Sequence, residues 1–339
     1  MGASREEARR FLAGLGEPPY RGDQVLGWVY ERGVYDFQAM TDLPRVLREA
    51  LAERAACLTS RVEAARRSAD GTEKLLIRLA DGQRVETVGI PEGERRTACL
   101  STQVGCAFGC AFCASGLGGL VRDLAPGEIV EQALHARARV APEARLTHLV
   151  VMGMGEPLAS IEALLRALRI FTAPWGLGLS GRRITVSTVG LPAGIRRLAE
   201  EGPGVALAVS LHAADEPTRQ RLVPRGGPLG EVVEAAKAYR GATGRDVTFE
   251  YALAKGVNDS ADDARALADL VGEEPIFVNV IPLNPVAGVG LEPPPAGRVR
   301  RFVAELRDRG VRARERRQRG ADIEAACGQL RRRAAGLLG

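Results

Sequence analysis

The stretch Gln103–Gly116, QVGCAFGCAFCASG, sets three cysteines, Cys106, Cys110 and Cys113, in a C-x3-C-x2-C spacing at the end of an apolar run, TACLSTQ. Thiolates at this spacing let one loop wrap a single metal centre. A closed zinc site takes a fourth ligand, and no Cys or His follows within twenty residues, while Cys99 lies upstream on the expected strand. Three thiolates on a four-iron cube would instead leave one iron open to a small molecule. The spacing alone leaves structural zinc and a cluster both open.

Outward from the loop the chain alternates. Strand candidates at TACLSTQ, LTHLVVMG, RRITVSTVG, GVALAVSLHA, DVTFEYALA and PIFVNVIPL are separated by helical stretches such as PGEIVEQALHARARV and DDARALADLVG. Six βα units in succession require a parallel sheet covered by helices, as a doubly wound sheet or a barrel. The preferred reading is an α/β fold, a partial (βα)6 TIM-like barrel. A small helical domain is expected over residues 1–60, a β-rich connector with a hairpin at Asp81-Gly82 over 61–96, the barrel over 97–310, and a C-terminal strand (GVRARERR) and tail over 311–339. Loops after the strands of such a barrel face one cavity. The cysteine loop, GMGEP (Gly153–Pro157), Ser187, Ser210-Leu211-His212 and Asn284-Pro285 all fall at strand ends.

The 339 residues, 45% hydrophobic and 26% charged, describe a soluble globular protein. The opening MGASREEARRFLAGLG lacks the order of a secretory signal, and no apolar run reaches the about 18 residues of a membrane span, so the expectation is cytoplasmic with no membrane partner. A net charge of +5 is compatible with RNA, but Lys74, Lys237 and Lys255 are the only lysines, so an arginine-biased composition explains it as well. Six cysteines, three of them clustered, do not read as a secreted disulfide framework. Cys57, His135 and His148 read as structural.

The three-cysteine loop after the first strand resembles the radical S-adenosylmethionine (SAM) enzymes. RRTACLSTQVGCAFGCAFCASG, VVMGMGEPL, RRITVSTVG, VSLHA, GVNDS, IPLNP and RGADIEAACGQL together resemble the bacterial 23S rRNA adenine C2-methyltransferases, some of which also modify tRNA, from about residue 20 to 332. Asp123 in VRDL, and IPLNP without a tryptophan, depart from that family's text.

The resemblance implies a [4Fe-4S] cluster on Cys106, Cys110 and Cys113, with SAM used once as methyl donor and once as radical source. It implies SAM contacts at Gly155, Glu156, Ser187, Ser210, Leu211, His212 and Asn284. It implies Cys327 as methyl carrier, Cys99 as the cysteine that resolves the protein–RNA adduct through a disulfide, and Glu86 in proton transfer, with the division between Glu86 and Cys99 left open. The chemistry needs such a route, because C2 of adenine lies between two ring nitrogens and is too electron-poor to attack a methyl cation equivalent. Expected partners are 23S rRNA, tRNA and an electron donor such as flavodoxin. Two rival readings stand: methylation of C8 of the same adenosine, which confers drug resistance, and a non-catalytic RNA-binding protein using the metal as a clip.

Overall fold

A computed structural model describes residues 2–140, 144–286 and 288–330. Three helices come first: α1 (Arg5–Gly14), α2 (Tyr20–Tyr30) and α3 (Arg45–Arg54). Ser4 and Glu7 start α1 with a reciprocal capping box, satisfying two backbone N–H groups that the first turn would leave unpaired. Asp23 on α2 ties the two helices by accepting from both Arg5 and Arg9.

Strands β1 (Arg61–Arg67), β2 (Glu73–Arg78), β3 (Arg84–Glu92) and β4 (Arg95–Cys99) form an antiparallel meander, with the expected β2–β3 hairpin closing at Gly82. A small ribbon, β5 (Gln103–Gly105) with β6 (Leu120–Asp123), brackets the cysteine loop. Then helices and strands alternate: α4 (Pro126–Val140), β7 (His148–Val151), α5 (Ile161–Thr172), β8 (Ile184–Thr188), α6 (Pro192–Glu201), β9 (Ala206–Ser210), α7 (Glu216–Leu222), α8 (Leu229–Thr243), β10 (Val247–Leu253), α9 (Ala261–Val271), β11 (Phe277–Pro282), α10 (Ala296–Asp308) and β12 (Arg312–Glu315).

The sheet runs β1-β2-β3-β4-β7-β8-β9-β10-β11-β12. Every pairing from β4 to β12 is parallel, so the six expected strands gain β12 as a seventh and the meander as an antiparallel extension. The central strands are buried on both faces, as a parallel sheet under helices must be. The helical unit docks on α4. Glu131 accepts from the backbone N–H groups of Thr59 and Ser60, and Arg137 donates to the carbonyls of Val29 (2.6 Å) and Tyr30. His135 bonds the Ser60 hydroxyl at 3.0 Å, the structural role expected of it. Among the described residues no helix is long and apolar enough to cross a membrane.

Candidate active site

Strand ends and loops on the C-terminal edge of the parallel sheet line a cavity open on one side. Cys106, Cys110 and Cys113 line it together with Gly155, Glu156, Ser187, Ser210, His212, Asn284 and Cys327. Leu211 does not line the cavity: its side chain is fully buried, its N–H donates to the Glu250 carbonyl at 3.0 Å and its carbonyl accepts from Arg219. Glu86 and Cys99 lie behind the lining.

The GMGEP turn shows why its residues are needed. Gly155 has φ +102°, and a Cβ there would sit 2.6 Å from the Gln103 side chain, so only glycine lets this turn close on β5. Glu156 follows, 2% exposed, its N–H bonded to the Gln103 side chain. Its carboxylate accepts from the N–H groups of Val189 (2.7 Å) and Leu158 (3.0 Å). Burial outweighs those bonds and pushes the carboxyl up to about 7. A ligand ammonium would hold it ionised.

His212 also sits at positive φ, +60°, at the end of β9. Its Nδ1 accepts from the Ala252 N–H at 2.9 Å and its ring meets Phe112 of the cysteine loop edge-on at 4.5 Å. Burial, with help from the Arg219 charge, lowers it to about 3, so the imidazole is neutral. Arg219 itself is a residue that sequence reading missed. It is 1% exposed and donates to the carbonyls of Ser210 (3.0 Å), Leu211 (2.6 Å), Val189 (2.6 Å) and Gly227 (3.3 Å), stapling two strand ends that carry lining residues. The loop's thiols are raised by burial, Cys106 to about 11 and Cys110 and Cys113 upward as well. Thiols in such a setting ionise when a metal binds them.

Cys327 is carried by the tail after β12, which crosses the cavity mouth. Asn284 donates to the Cys327 carbonyl at 2.9 Å, the Ala114 N–H to Gly328 at 2.7 Å, and the Ser115 hydroxyl to Leu330 at 2.6 Å. The cysteine loop thus holds the tail directly. Cys327 is exposed and Cys99 is 7% exposed at the end of β4; both are free thiols. Burial, then the neighbouring Cys327, pushes Cys99 up to about 12. The Arg316 guanidinium lines the same cavity as Cys327, and its charged form is favoured first by Cys327, then, against burial, by Glu250 and Cys99.

Glu86 pairs with Lys74 at 3.2 Å, both nearly fully buried. The Lys74 ammonium also donates to the Glu324 carbonyl of the tail at 2.9 Å. Because Val88 pairs with Cys99, Glu86, two residues on, shares the face of the sheet that Cys99 uses. The basic run Arg331–Arg333 lies outside the described residues.

Comparison with known proteins fixes the family. Residues 1–57 match the ribosomal RNA large subunit methyltransferase N-terminal domain, and residues 100–270 the radical SAM superfamily. The chain is 49% identical to a probable dual-specificity RNA methyltransferase RlmN of Moorella thermoacetica, covering 96% of this chain and 95% of that one. It is 46% identical to the corresponding protein of Rhodopirellula baltica, over 97% and 89%. It superposes on a radical SAM methyltransferase from Sphaerobacter thermophilus with a TM-score of 0.94, 45% identity and coverage of 97% and 98%. The chain belongs to the RlmN family of radical SAM RNA methyltransferases.

The residues present fit the cluster and SAM that membership implies. Three thiols open on one cavity beside a buried carboxylate at strand ends, and Asn284 Oδ1, buried there, has no partner among the described residues. An amine or hydroxyl of SAM suits that oxygen. Among the described residues no three His, Cys, Asp or Glu side chains are gathered closely enough for a single ion. A cube instead takes its thiolates at separate corners.

Proposed function

We propose that this RlmN-family protein methylates C2 of an adenosine in the peptidyl-transferase region of 23S rRNA and of an adenosine beside the tRNA anticodon, in the cytoplasm, through a methylated Cys327. One observation carries the reading: the exposed Cys327 and the three-cysteine loop open on the same cavity, with Cys99 buried behind them. The relatives' dual specificity and the rRNA-methyltransferase match of the N-terminal domain support the two RNA substrates.

When bound, the cluster and SAM, fed by a flavodoxin-like electron donor, supply a carbon radical that takes a hydrogen atom from a methyl group. Cys327 first accepts that methyl on sulfur, and its exposure at the mouth lets one side chain face SAM and then RNA. Gly155, Glu156, Ser187, Ser210, Leu211, His212 and Asn284 hold SAM, the neutral His212 and its neighbours presenting hydrogen-bonding groups without added charge. The methylene radical on Cys327 then adds to adenine C2, and the adduct gives up one electron to the redox chain and its C2 proton to a base, leaving a closed-shell thioether between Cys327 and the ring. Cys99 is a thiol at rest and must lose its proton before it can attack the Cys327 sulfur; the attack forms a transient disulfide and breaks the sulfur–methylene bond, whose carbon leaves with the electron pair and takes up a proton to become the methyl group. Glu86, on the same face and paired with Lys74 at 3.2 Å, is the proton acceptor. The target base must leave its stack to reach the cavity.

The test is nucleoside mass spectrometry on a 23S rRNA fragment and a tRNA treated anaerobically with reconstituted protein, reductant and methyl-labelled SAM. Labelled 2-methyladenosine in both is expected, and Cys327→Ala abolishes it while SAM is still cleaved. Labelled 8-methyladenosine, or methylation that survives in Cys327→Ala, overturns the reading.

A further inference from the structure

A second cavity lies within the barrel and adjoins the first. Glu250, Asn284, Arg316 and Cys327 border both. Its walls combine Phe277, Ile281 and Val150 with polar groups, and Arg314, Arg317 and Arg319 stand along one side. The register explains how a polar layer arises on strands that are otherwise apolar. Ser210 of β9, Glu250 of β10 and Asn279 of β11 are direct lateral neighbours, so their side chains point to one face at one level.

Glu250 and Asn279 are each 6% exposed. Asn279 Nδ2 donates to Glu250 Oε2 at 2.9 Å, and Arg316 Nη1 reaches the same oxygen at 3.3 Å. The carboxylate cannot donate, so the amide must turn its nitrogen toward Glu250 and its oxygen away. That oxygen, Asn279 Oδ1, is buried beside the cavity with no partner among the described residues. A buried acceptor without a donor is costly, and in a site it marks the place of a ligand N–H or O–H.

We propose that Asn279, oriented by Glu250 and Arg316, accepts a hydrogen bond from the exocyclic amino group of the adenine that is to be methylated. The inference rests on the RNA adenosine methyltransferase reading above. An amide oxygen accepting from the amino group is a standard way for proteins to recognise adenine. Apolar walls suit a flat base, and the arginines beside the cavity suit the flanking phosphates. The amino-bearing C6 and the reacting C2 lie on one six-membered ring with N1 between them. A residue that holds the amino group therefore fixes C2 one ring's width away, near Cys327, which borders the same cavity. Asn284 has the other unpartnered amide oxygen of this region, but its nitrogen is spent on the Cys327 carbonyl and it borders the cysteine-lined cavity too, as a SAM ligand should.

SAM also carries an adenine, so the test must separate two sources of one chemistry. Reconstituted holoenzyme, wild type and Asn279→Ala, is assayed for methyl transfer to two RNAs, one with adenosine and one with purine riboside, which lacks the amino group, at the modified position. In the wild type, removing the amino group is expected to lower kcat/KM roughly tenfold or more, because the buried oxygen loses its donor. In Asn279→Ala the same removal should cost less than about threefold, since only a direct contact makes the two changes non-additive. A merely structural role would lower activity on both RNAs and leave their ratio at the wild-type value, and that result overturns the proposal. So does a raised KM for SAM with an unchanged ratio, which would assign the oxygen to the cofactor's adenosine. Asn279→Val, which suits a strand, replaces the alanine variant if the latter loses iron or secondary structure. If the wild-type enzyme methylates neither RNA, the proposed function fails, and it fails separately from this contact.

Discussion

Two buried cations brace segments that border the cavity, and they are used differently. Arg219 spends its fork on four backbone carbonyls around the ends of β8 and β9. Lys74, on the β2 side, bonds a carboxylate, Glu86, and one carbonyl of the tail that carries Cys327. A planar guanidinium with fixed donors suits a frame whose partners do not move, whereas an ammonium on a flexible stem tolerates a partner that changes charge or position. The cofactor side of the site is therefore preformed. The tail side couples the proposed proton acceptor to the segment that bears Cys327, the proposed methyl carrier.

Breaking the Lys74 strut should have the largest effect on stability. Lys74→Met removes the nearest cation from a carboxylate that is 2% exposed, and breaking a buried ion pair from one side costs about 3–5 kcal/mol. Chemical denaturation of the apo-protein measures this. Lys74→Met combined with Glu86→Gln should recover most of the loss, because the buried charge leaves with its partner. A double variant as unstable as the sum of the two singles would show that the pair does not act as a unit.

Arg219→Met sharpens the contrast from the other side. It leaves buried carbonyls without donors but also removes a desolvated cation, and the opposing effects should net about 2 kcal/mol of destabilisation. Its functional signature should be weaker SAM binding, roughly tenfold by equilibrium dialysis, since the backbone around Ser210, Leu211 and Val189 loses its staple. In Lys74→Met the defect should fall on release of product from Cys327 instead. If both variants weaken SAM equally, the division of labour across the rim is wrong.

How far this was legible in the sequence follows from the range of each interaction. The first six parallel strands and the β2–β3 hairpin announce themselves through contiguous apolar runs and an Asp-Gly turn, which are local signals. The three metal-loop cysteines are legible for the same reason, being eight residues from first to last. Strand β1 (RVEAARR) is an edge strand whose residues alternate between exposed and half-exposed and include Arg61, Glu63, Arg66 and Arg67, so its composition hides its pairing. The β5–β6 ribbon hides in GLGGLVRDL because Leu120 and Val121 face solvent instead of a core. Arg219 and Asn279 could not be singled out from the text, because an arginine in a short helix and an asparagine in a strand become informative only once burial and partners are known. Cys327 stood out through its resemblance to a family motif; by composition it is a small residue in an alanine-rich segment.

The smallest expected effect tests whether the tail's polar anchors matter beyond Lys74. Asp70, in the turn before β2, accepts from the N–H of Thr72 at 2.9 Å and from the N–H of Gly320 at 3.1 Å, where the tail leaves β12. Burial alone would raise its carboxyl, but hydrogen bonds from Thr72, Gly320 and Ser68 outweigh it and bring it down to about 2 from the ordinary 3.8. A carboxylate depressed in the folded state stabilises above its unfolded value. The contribution of Asp70 is thus complete above pH 3.8 and fades as pH falls toward 2. Asp70→Ala should cost about 1 kcal/mol near neutral pH, discounted for the residue's exposure, and should cost progressively less as the acid limb is approached. Because the lost bond is to the tail, methyl transfer through Cys327 should slow by roughly twofold to fivefold, the rate equivalent of up to about 1 kcal/mol. SAM affinity should hold. A variant that loses stability by the same amount at pH 3 as at pH 7 would show that the carboxylate's charge is not what anchors the tail.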